Sequence, residues 1–376
     1  MRISRFDRLQ RLMDSKKLSA AIYTNASTIK CLSGYGYFFE TGPSPFHVLP
    51  ATLFCLRNSE SSLLLASDEM NNAANVFPNI KVLSYTGYAY KEPLHFTNDF
   101  LNQSLDILEG KISADAIIGI EINSFPYSLY QVLTGQFPGI KFIDITQDII
   151  NIRAVKDEDE IDHIRAAAGI ADIGQESVLK YAEEGMTELE LFSKVRLDMD
   201  MLAGKRTPVM TDVLTGHRTA TGGGNPSKKV IEKNDLILTD FTPCLNGYWG
   251  DSCSTITIGI PTAPEQKDFT LVLKALNEGI NAIRPGAVAK DIDQVMRKTL
   301  ESEGGFEHHG GHGVGTVYHE EPRIVPYNDK IIEPGMVIAL EPALYKTDYG
   351  IRLEHLILVT VDGNEVLTKF NHRLLK

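Results

Sequence analysis

NDLILTDFTPCLNGYWGDSCSTITIG, residues 234–259, reads as two strands joined by a tight turn. Asn246-Gly247 is the turn signal, because both central positions of a type I′ turn take positive φ. Centred on that turn, Asp240 is expected opposite Cys253, with Asp251 one diagonal step away on the same face. Two carboxylates side by side repel unless a cation sits between them. The plainer alternative is a pair of solvated strand-end aspartates. The apolar neighbours Leu236, Ile237, Leu238, Phe241 and Trp249 count against that.

Two further clusters follow. HHGGHGVGTVYHEEP, residues 308–322, places His308, His309, His312 and His319 among glycines that let backbone approach a ligand closely. MVIALEPALYKTDYGIRLEHLILV, residues 336–359, sets Glu341 and Glu354 inside apolar strands. A carboxylate in such a strand is costly unless paired or metal-bound. A buried ion pair, for instance Arg352 with Glu341, is the alternative. Taken together, Asp240, Asp251, His312, Glu341 and Glu354 form an oxygen-rich set with one nitrogen. That set suits two adjacent divalent cations better than a structural zinc. Two such cations acidify a shared water and polarise a carbonyl, which points to hydrolysis.

The rest of the chain is consistent with a globular enzyme of two domains. Its 376 residues exceed one typical core. A formal net charge of −12 argues against nucleic acid or an anionic membrane as partner. The N-terminus is charged and amphipathic, and no run of about 20 apolar residues occurs, so neither a secretory signal nor a membrane span is expected. The four cysteines lack CxxC spacing, which suggests a reduced, cytoplasmic setting.

Residues 1–150 alternate helical and strand patterns, as in an α/β domain. Phe6, Leu9, Leu12 and Met13 mark one helical face; 20–24, 51–56, 61–66 and 116–121 read as strands, the middle two as a hairpin. NIRAVKDEDE, residues 151–160, carries the chain into a second domain over 151–376. There, residues 161–185 read as a helix ending at Gly185. Residues 187–204 form another, with Thr187 as N-cap and Glu190 completing a capping box. A second helix pair is expected over 264–284 and 287–303. Helix pair, strands, helix pair, strands is a rough internal duplication.

The order Asp-x10-Asp, GHGxG…HExP, an EP-containing strand and RxE resembles the creatinase/aminopeptidase P/prolidase family of metallopeptidases, M24. The resemblance extends over nearly the whole chain, and RAVKDEDEIDHIRAAA is similar to the family's entry into its catalytic domain. It implies an α+β fold: a pita-bread catalytic domain, with a pseudo-symmetric antiparallel sheet and helix pairs, after a creatinase-like α/β domain. It also implies a dimetal hydrolase that cleaves the N-terminal peptide bond of short peptides, as an Xaa-Pro dipeptidase or aminopeptidase. Asp240 would chelate one metal, His312 and Glu341 the other, and Asp251 and Glu354 both. Glu341 would carry protons, and His308 and His319 would line the substrate side, with His217 and Arg352 as further substrate contacts. The resemblance implies Mn²⁺ or Co²⁺, with Zn²⁺ also possible, and the carboxylate-rich set leans toward Mn²⁺ over Zn²⁺. A homodimer is expected from relatives.

The chain departs from the family pattern in places. GHRTATGGG, residues 216–224, has Gly222, Gly223 and Gly224 where a substrate-side histidine is usual. Asp251-Ser252-Cys253-Ser254-Thr255 replaces DxTRT, with Cys253 expected to face the metals as a packing residue. His355 stands where aspartate is common and is expected to point away from them. These departures keep open a creatinase-like or other non-peptide C–N hydrolase or lyase on the same fold. A non-catalytic binding module is opposed by the complete ligand set.

Overall fold

The computed structural model describes residues 3–36, 49–57, 60–87, 89–91 and 95–376. The chain forms two compact units, residues 1–153 and 154–376. No helix among the described residues is long and apolar enough to cross a membrane.

The first unit contains α1 (Arg5–Ser15), β1 (Ala20–Tyr23), α2 (Ala26–Ser33), β2 (Thr52–Leu56), β3 (Ser61–Ala66), β4 (Ile80–Tyr85), α3 (Phe96–Leu108), β5 (Ile117–Ile120), α4 (Tyr127–Gln136), β6 (Lys141–Asp144) and α5 (Thr146–Ala154). The strands make one mixed sheet in the order β4-β3-β2-β1-β5-β6. β1 lies at its centre and is buried throughout, hence its uninterrupted apolar sequence. The expected β2–β3 hairpin forms, with Phe54 opposite Ser62; residues 58 and 59 at its tip lie outside the described residues. Leu9, Leu12 and Met13 of α1 join Ile29 and Ile149 in one apolar cluster, and Phe100, Ile107 and Leu129 belong to a second. Phe6, expected on the buried face of α1, is 38 % exposed and meets Phe77 edge-on at 5.9 Å. Its position in the first helical turn puts it at the rim of that face.

The second unit contains α6 (Glu158–Tyr181), α7 (Glu188–Ala203), β7 (Val209–Thr215), β8 (Leu236–Leu245), β9 (Tyr248–Trp249), β10 (Ser252–Thr257), α8 (Ala263–Ala282), α9 (Ala289–Leu300), β11 (Gly311–Gly313), β12 (Glu320–Ile324), β13 (Val337–Leu340), β14 (Ala343–Tyr345), β15 (Gly350–Arg352), β16 (His355–Val359) and β17 (Asn364–Val366). The expected alternation of helix pairs and strands is the one observed. One sheet runs β10-β8-β7, another β12-β11-β13-β16-β17, with β14–β15 as a separate ribbon. Reciprocal capping boxes start α6 (Asp157, Glu160), α7 (Thr187, Glu190) and α8 (Thr262, Glu265). α6 stops at Tyr181, short of the expected Gly185. Gly185 takes φ +89° and donates to the Ile231 carbonyl, a bond to another segment that a continued helix would not make.

Close packing fixes the hairpin on which two candidate ligands sit. Asn246 and Gly247 have φ of +53° and +84°, and Asp240 lies opposite Cys253, as the turn chemistry predicts. A methyl group added at Gly250 would stand 2.5 Å from the α6 backbone at Ala167, so only glycine lets the strand come that close. Phe241 seals the same contact against α6 at Gly174 and is fully buried. A side chain of that size stabilises by roughly 1.5–3 kcal/mol on burial. This packing holds Asp251, the neighbour of Gly250, at the end of a rigid strand pair.

Candidate active site

All five candidate ligands of the second unit converge on one cluster, in which Asp251, His312, Glu341 and Glu354 are buried and Asp240 is half-buried. Asp240 comes from β8, and Asp251 from the turn into β10. His312 lies on β11, Glu341 directly follows β13, and Glu354 lies between β15 and β16. The two sheets are tied at this point by the Glu354 amide, which donates to the Cys253 carbonyl at 2.9 Å. Donor atoms of Asp251, His312 and Glu354 all lie within 4.8 Å of one another, and all three residues are buried. His312 Nε2 is 3.7 Å from Asp251 Oδ2 and 3.5 Å from Glu341 Oε1.

The electrostatics of this cluster call for cations. Burial first, and then the neighbouring carboxylates Asp240 and Glu341, push Asp251 well above the usual acid range. Glu354 is raised for the same reasons, with Asp251 as its strongest repelling neighbour. Burial raises Asp240 to about 6, although Arg352 opposes the shift. Glu341 differs. Burial would raise it, but a hydrogen bond from His309, with His312 and Arg352 nearby, outweighs that and holds it well below the usual range. Among the described residues, Asp240 Oδ1 and Glu354 Oε2 are buried without a hydrogen-bond partner. Buried carboxylate oxygens left without donors are what metal ligands look like before a cation is counted.

The imidazole fits the same picture. Burial pushes His312 down to about 4, so it is neutral near pH 7. Its Nδ1 faces the Gly313 carbonyl at 3.1 Å, which favours the tautomer whose Nε2 lone pair points to the carboxylates. The strand carrying it tolerates no larger neighbours. A Cβ at Gly311 would meet the Ala339 carbonyl oxygen at 2.0 Å, and one at Gly313 the Glu321 carbonyl oxygen at 2.2 Å. The glycines of the motif therefore act by letting β11 lie between β12 and β13. The residues present fit two divalent ions: four carboxylates, two of them with a buried oxygen that no donor among the described residues meets, and a neutral imidazole.

A cavity of about 1070 Å³ opens onto this cluster. His308 and His319 are on its wall. His308 Nε2 faces the Tyr345 hydroxyl at 3.3 Å, and the His319 ring lies 4.1 Å from that of His312. Burial lowers the pKa of both.

Two expected substrate contacts are placed differently. His217 is exposed and is not on the cavity wall. The short helical turn 216–221 directs its neighbour Arg218 inward instead, onto the buried Glu188. Arg352 does reach the wall, but its guanidinium is committed. It bonds Asp240 Oδ2 at 2.5 Å, Asp212 Oδ2 at 3.3 Å, the Tyr345 hydroxyl at 3.2 Å and the Gly222 carbonyl. Its Nε lies 3.2 Å from Cys253 Sγ and 4.0 Å from Glu341 Oε2. The ion pair with Glu341 considered from sequence is thus the longest of its acidic contacts. Arg352 thus lines the cavity and holds the candidate ligand Asp240.

Cys253 is fully buried beside Arg352, and burial raises its thiol well above the ordinary value. It is an inert packing group. His355 turns away from the ligands and bonds the Thr368 hydroxyl at 2.8 Å. Sequence reasoning missed His309, whose Nε2 is 2.9 Å from Glu341 Oε1, and Asp212, which lies opposite Asp240 on β7. The second was accessible in principle: a carboxylate within the strand-like VMTDVLT breaks the same rule that flagged Glu341.

The comparisons with known proteins agree with this geometry. Residues 162–361 match the model of metallopeptidase family M24, and residues 5–155 that of the creatinase/prolidase N-terminal domain. An Xaa-Pro dipeptidase of Pyrococcus furiosus is 33% identical over 262 residues, 69% of this chain and 75% of the relative. An uncharacterised peptidase of Staphylococcus aureus is 32% identical over 81% of this chain and 97% of its own length. Among solved structures, the prolidase of Pyrococcus horikoshii superposes with a TM-score of 0.82 at 27% identity, covering 98% of this chain and 99% of that one. An X-Pro aminopeptidase from Thermotoga maritima gives 0.82 at 25% identity over the whole of both chains.

Proposed function

The chain belongs to metallopeptidase family M24, and from that premise we propose that it hydrolyses the N-terminal peptide bond of short peptides, Xaa-Pro peptides first among them. The observation that carries the proposal is the cluster of Asp240, Asp251, His312, Glu341 and Glu354, in which two buried carboxylate oxygens have no donor among the described residues. Asp240 would hold one divalent ion, His312 and Glu341 the other, and Asp251 and Glu354 both. The carboxylate-rich set favours Mn²⁺, with Co²⁺ and Zn²⁺ as the competitors. When bound, the pair of ions supplies Lewis acidity toward a carbonyl and acidifies water at neutral pH.

The chain's own residues supply orientation and proton handling. Thr242 donates to Asp251 Oδ1 at 2.9 Å and fixes the plane of that carboxylate. Arg352 does the same for Asp240. Glu341, kept ionised by His309, His312 and Arg352, would take a proton from the attacking water and pass it to the leaving nitrogen. His308 and His319 stand on the cavity wall, where an imidazole N–H can support the developing oxyanion. The protein would work as a homodimer in the cytoplasm.

The test is a panel of Xaa-Pro dipeptides and Xaa-Pro-led tripeptides with the Mn²⁺-loaded protein, alongside metal analysis. About two ions per chain and turnover of at least one class are expected. Bound metal without turnover on any peptide would overturn the peptidase assignment.

A further inference from the structure

We infer that Asp212 reads the amino terminus of the substrate: its carboxylate receives the α-ammonium group. The inference rests on the peptidase reading above. Asp212 on β7 lies directly opposite the candidate ligand Asp240 on β8, so the two side chains share a face with Cβ atoms about 4.5–5.5 Å apart. Asp212 belongs to the cavity wall, and its side chain is 27% exposed against 8% for Arg352.

Asp212 is held in place but has bonding capacity left. Oδ1 accepts from the Gly224 amide at 2.8 Å. Oδ2 is 3.3 Å from Arg352 Nη2, the nitrogen that gives Asp240 its closer bond at 2.5 Å. One guanidinium thus serves two carboxylates and favours the other one. A carboxylate can accept about four hydrogen bonds, and among the described residues Asp212 accepts two.

The run Gly222–Gly224 completes the cradle. Gly222 accepts from Arg352, and Gly224 donates to Asp212. Between them, a Cβ at Gly223 would stand 3.2 Å from Asp212 Oδ2, so the missing side chain leaves that oxygen facing the cavity. This gives a role to the glycine run singled out in the sequence.

The chemistry selects the α-ammonium. The scissile carbonyl must sit at the ligand cluster that includes Asp240. The α-nitrogen is one carbon away from it, about 2.5 Å from the carbonyl carbon. It therefore falls beside the strand that neighbours Asp240. An ammonium leaving water there needs a counter-charge. A peptide bond in a chain interior carries none, so Asp212 would favour cleavage at the N-terminal end.

The experiment compares wild type, Asp212→Asn and Asp212→Glu, each loaded with Mn²⁺ and checked for metal content. KM and kcat are read on Ala-Pro, Lys-Pro and norleucyl-Pro. Inhibition is read with L-leucinamide and with 4-methylpentanamide, the same molecule without its amine. Wild type should prefer the amine-bearing inhibitor by about tenfold to a hundredfold. In Asp212→Asn that preference should collapse and KM rise for all three dipeptides alike, with kcat little changed. Asp212→Glu should recover part of it. Unchanged inhibitor preference in Asp212→Asn, with an active wild type, overturns the inference alone. So does a loss confined to Lys-Pro, which would assign Asp212 to the side chain. A general fall in metal content and kcat at constant preference would reduce Asp212 to a support for Arg352 and also overturn it. An inactive, metal-loaded wild type would remove the peptidase reading and this inference together.

Discussion

Lys156 Nζ lies 2.6 Å from Glu320 Oε1, and both side chains are buried. The pair joins the approach to α6 to the residue after His319. Removing one partner strands the other charge in the interior, at a cost of about 3–5 kcal/mol. Lys156→Met should therefore lower the melting temperature by on the order of 10 °C. The double variant Lys156→Met/Glu320→Leu should recover much of the loss. A thermal melt of the single variant within 2 °C of wild type (roughly 1 kcal/mol or less) would count against a structural role for the pair.

Asp251→Asn should separate stability from function. In chelator the substitution relieves repulsion among buried carboxylates, so the metal-free variant should melt a few degrees above metal-free wild type. Added Mn²⁺ should stabilise wild type, by about 2.7 kcal/mol at a hundredfold excess over Kd, and leave the variant nearly unmoved. Activity should vanish. Calorimetry with and without metal reads the first two effects and a peptidase assay the third, and a variant that stayed active would refute the proposed ligand roles.

Two glycines predict opposite outcomes for the same substitution. Gly313→Ala forces a methyl group against the Glu321 carbonyl and must shift His312. A loss of about 1–3 kcal/mol in stability and about a hundredfold in kcat/KM is expected. Gly363→Ala meets nothing within 4 Å and should stay within about 0.5 kcal/mol of wild type. Urea unfolding together with steady-state kinetics distinguishes them.

A pair of buried histidines sets an acid limit on stability. Burial, with some help from Lys369, pushes His355 down to about 4. Burial and the neighbouring His355 push His372 to about 3. The unfolded chain takes up protons on both rings below its ordinary value of about 6.5, whereas the folded chain does not. Stability from these rings is thus complete above pH 6.5 and falls as the pH drops toward 4, by about 1.4 kcal/mol per pH unit for each ring. Over pH 6.5–4.5, the metal-free His372→Gln variant should show a slope shallower than wild type by about that amount. Equal slopes in urea titrations would rule the contribution out.

Local signals carried most of the fold and the ligand set. Asn246-Gly247 set the register that puts Asp240 opposite Cys253, and the Thr187/Glu190 capping box marked where α7 begins. What escaped were relations between distant segments. Arg352 turns to Asp240 rather than Glu341 because β8 and β15 meet in space, 112 residues apart along the chain. His217 was misplaced because one short helical turn decides which of two adjacent side chains faces inward. His309 looked like one more histidine in a run until β13 brought Glu341 to it.

The two sheets of the second unit divide the candidate ligands between them, two on one side and three on the other. Neither half has a catalytic site of its own. The bound ions would therefore act as rivets across a seam, and the strength with which they are held would measure how well the halves fit. Anything that pries the seam open, whether heat, acid or a distant substitution, would extinguish the reaction with every ligand still present.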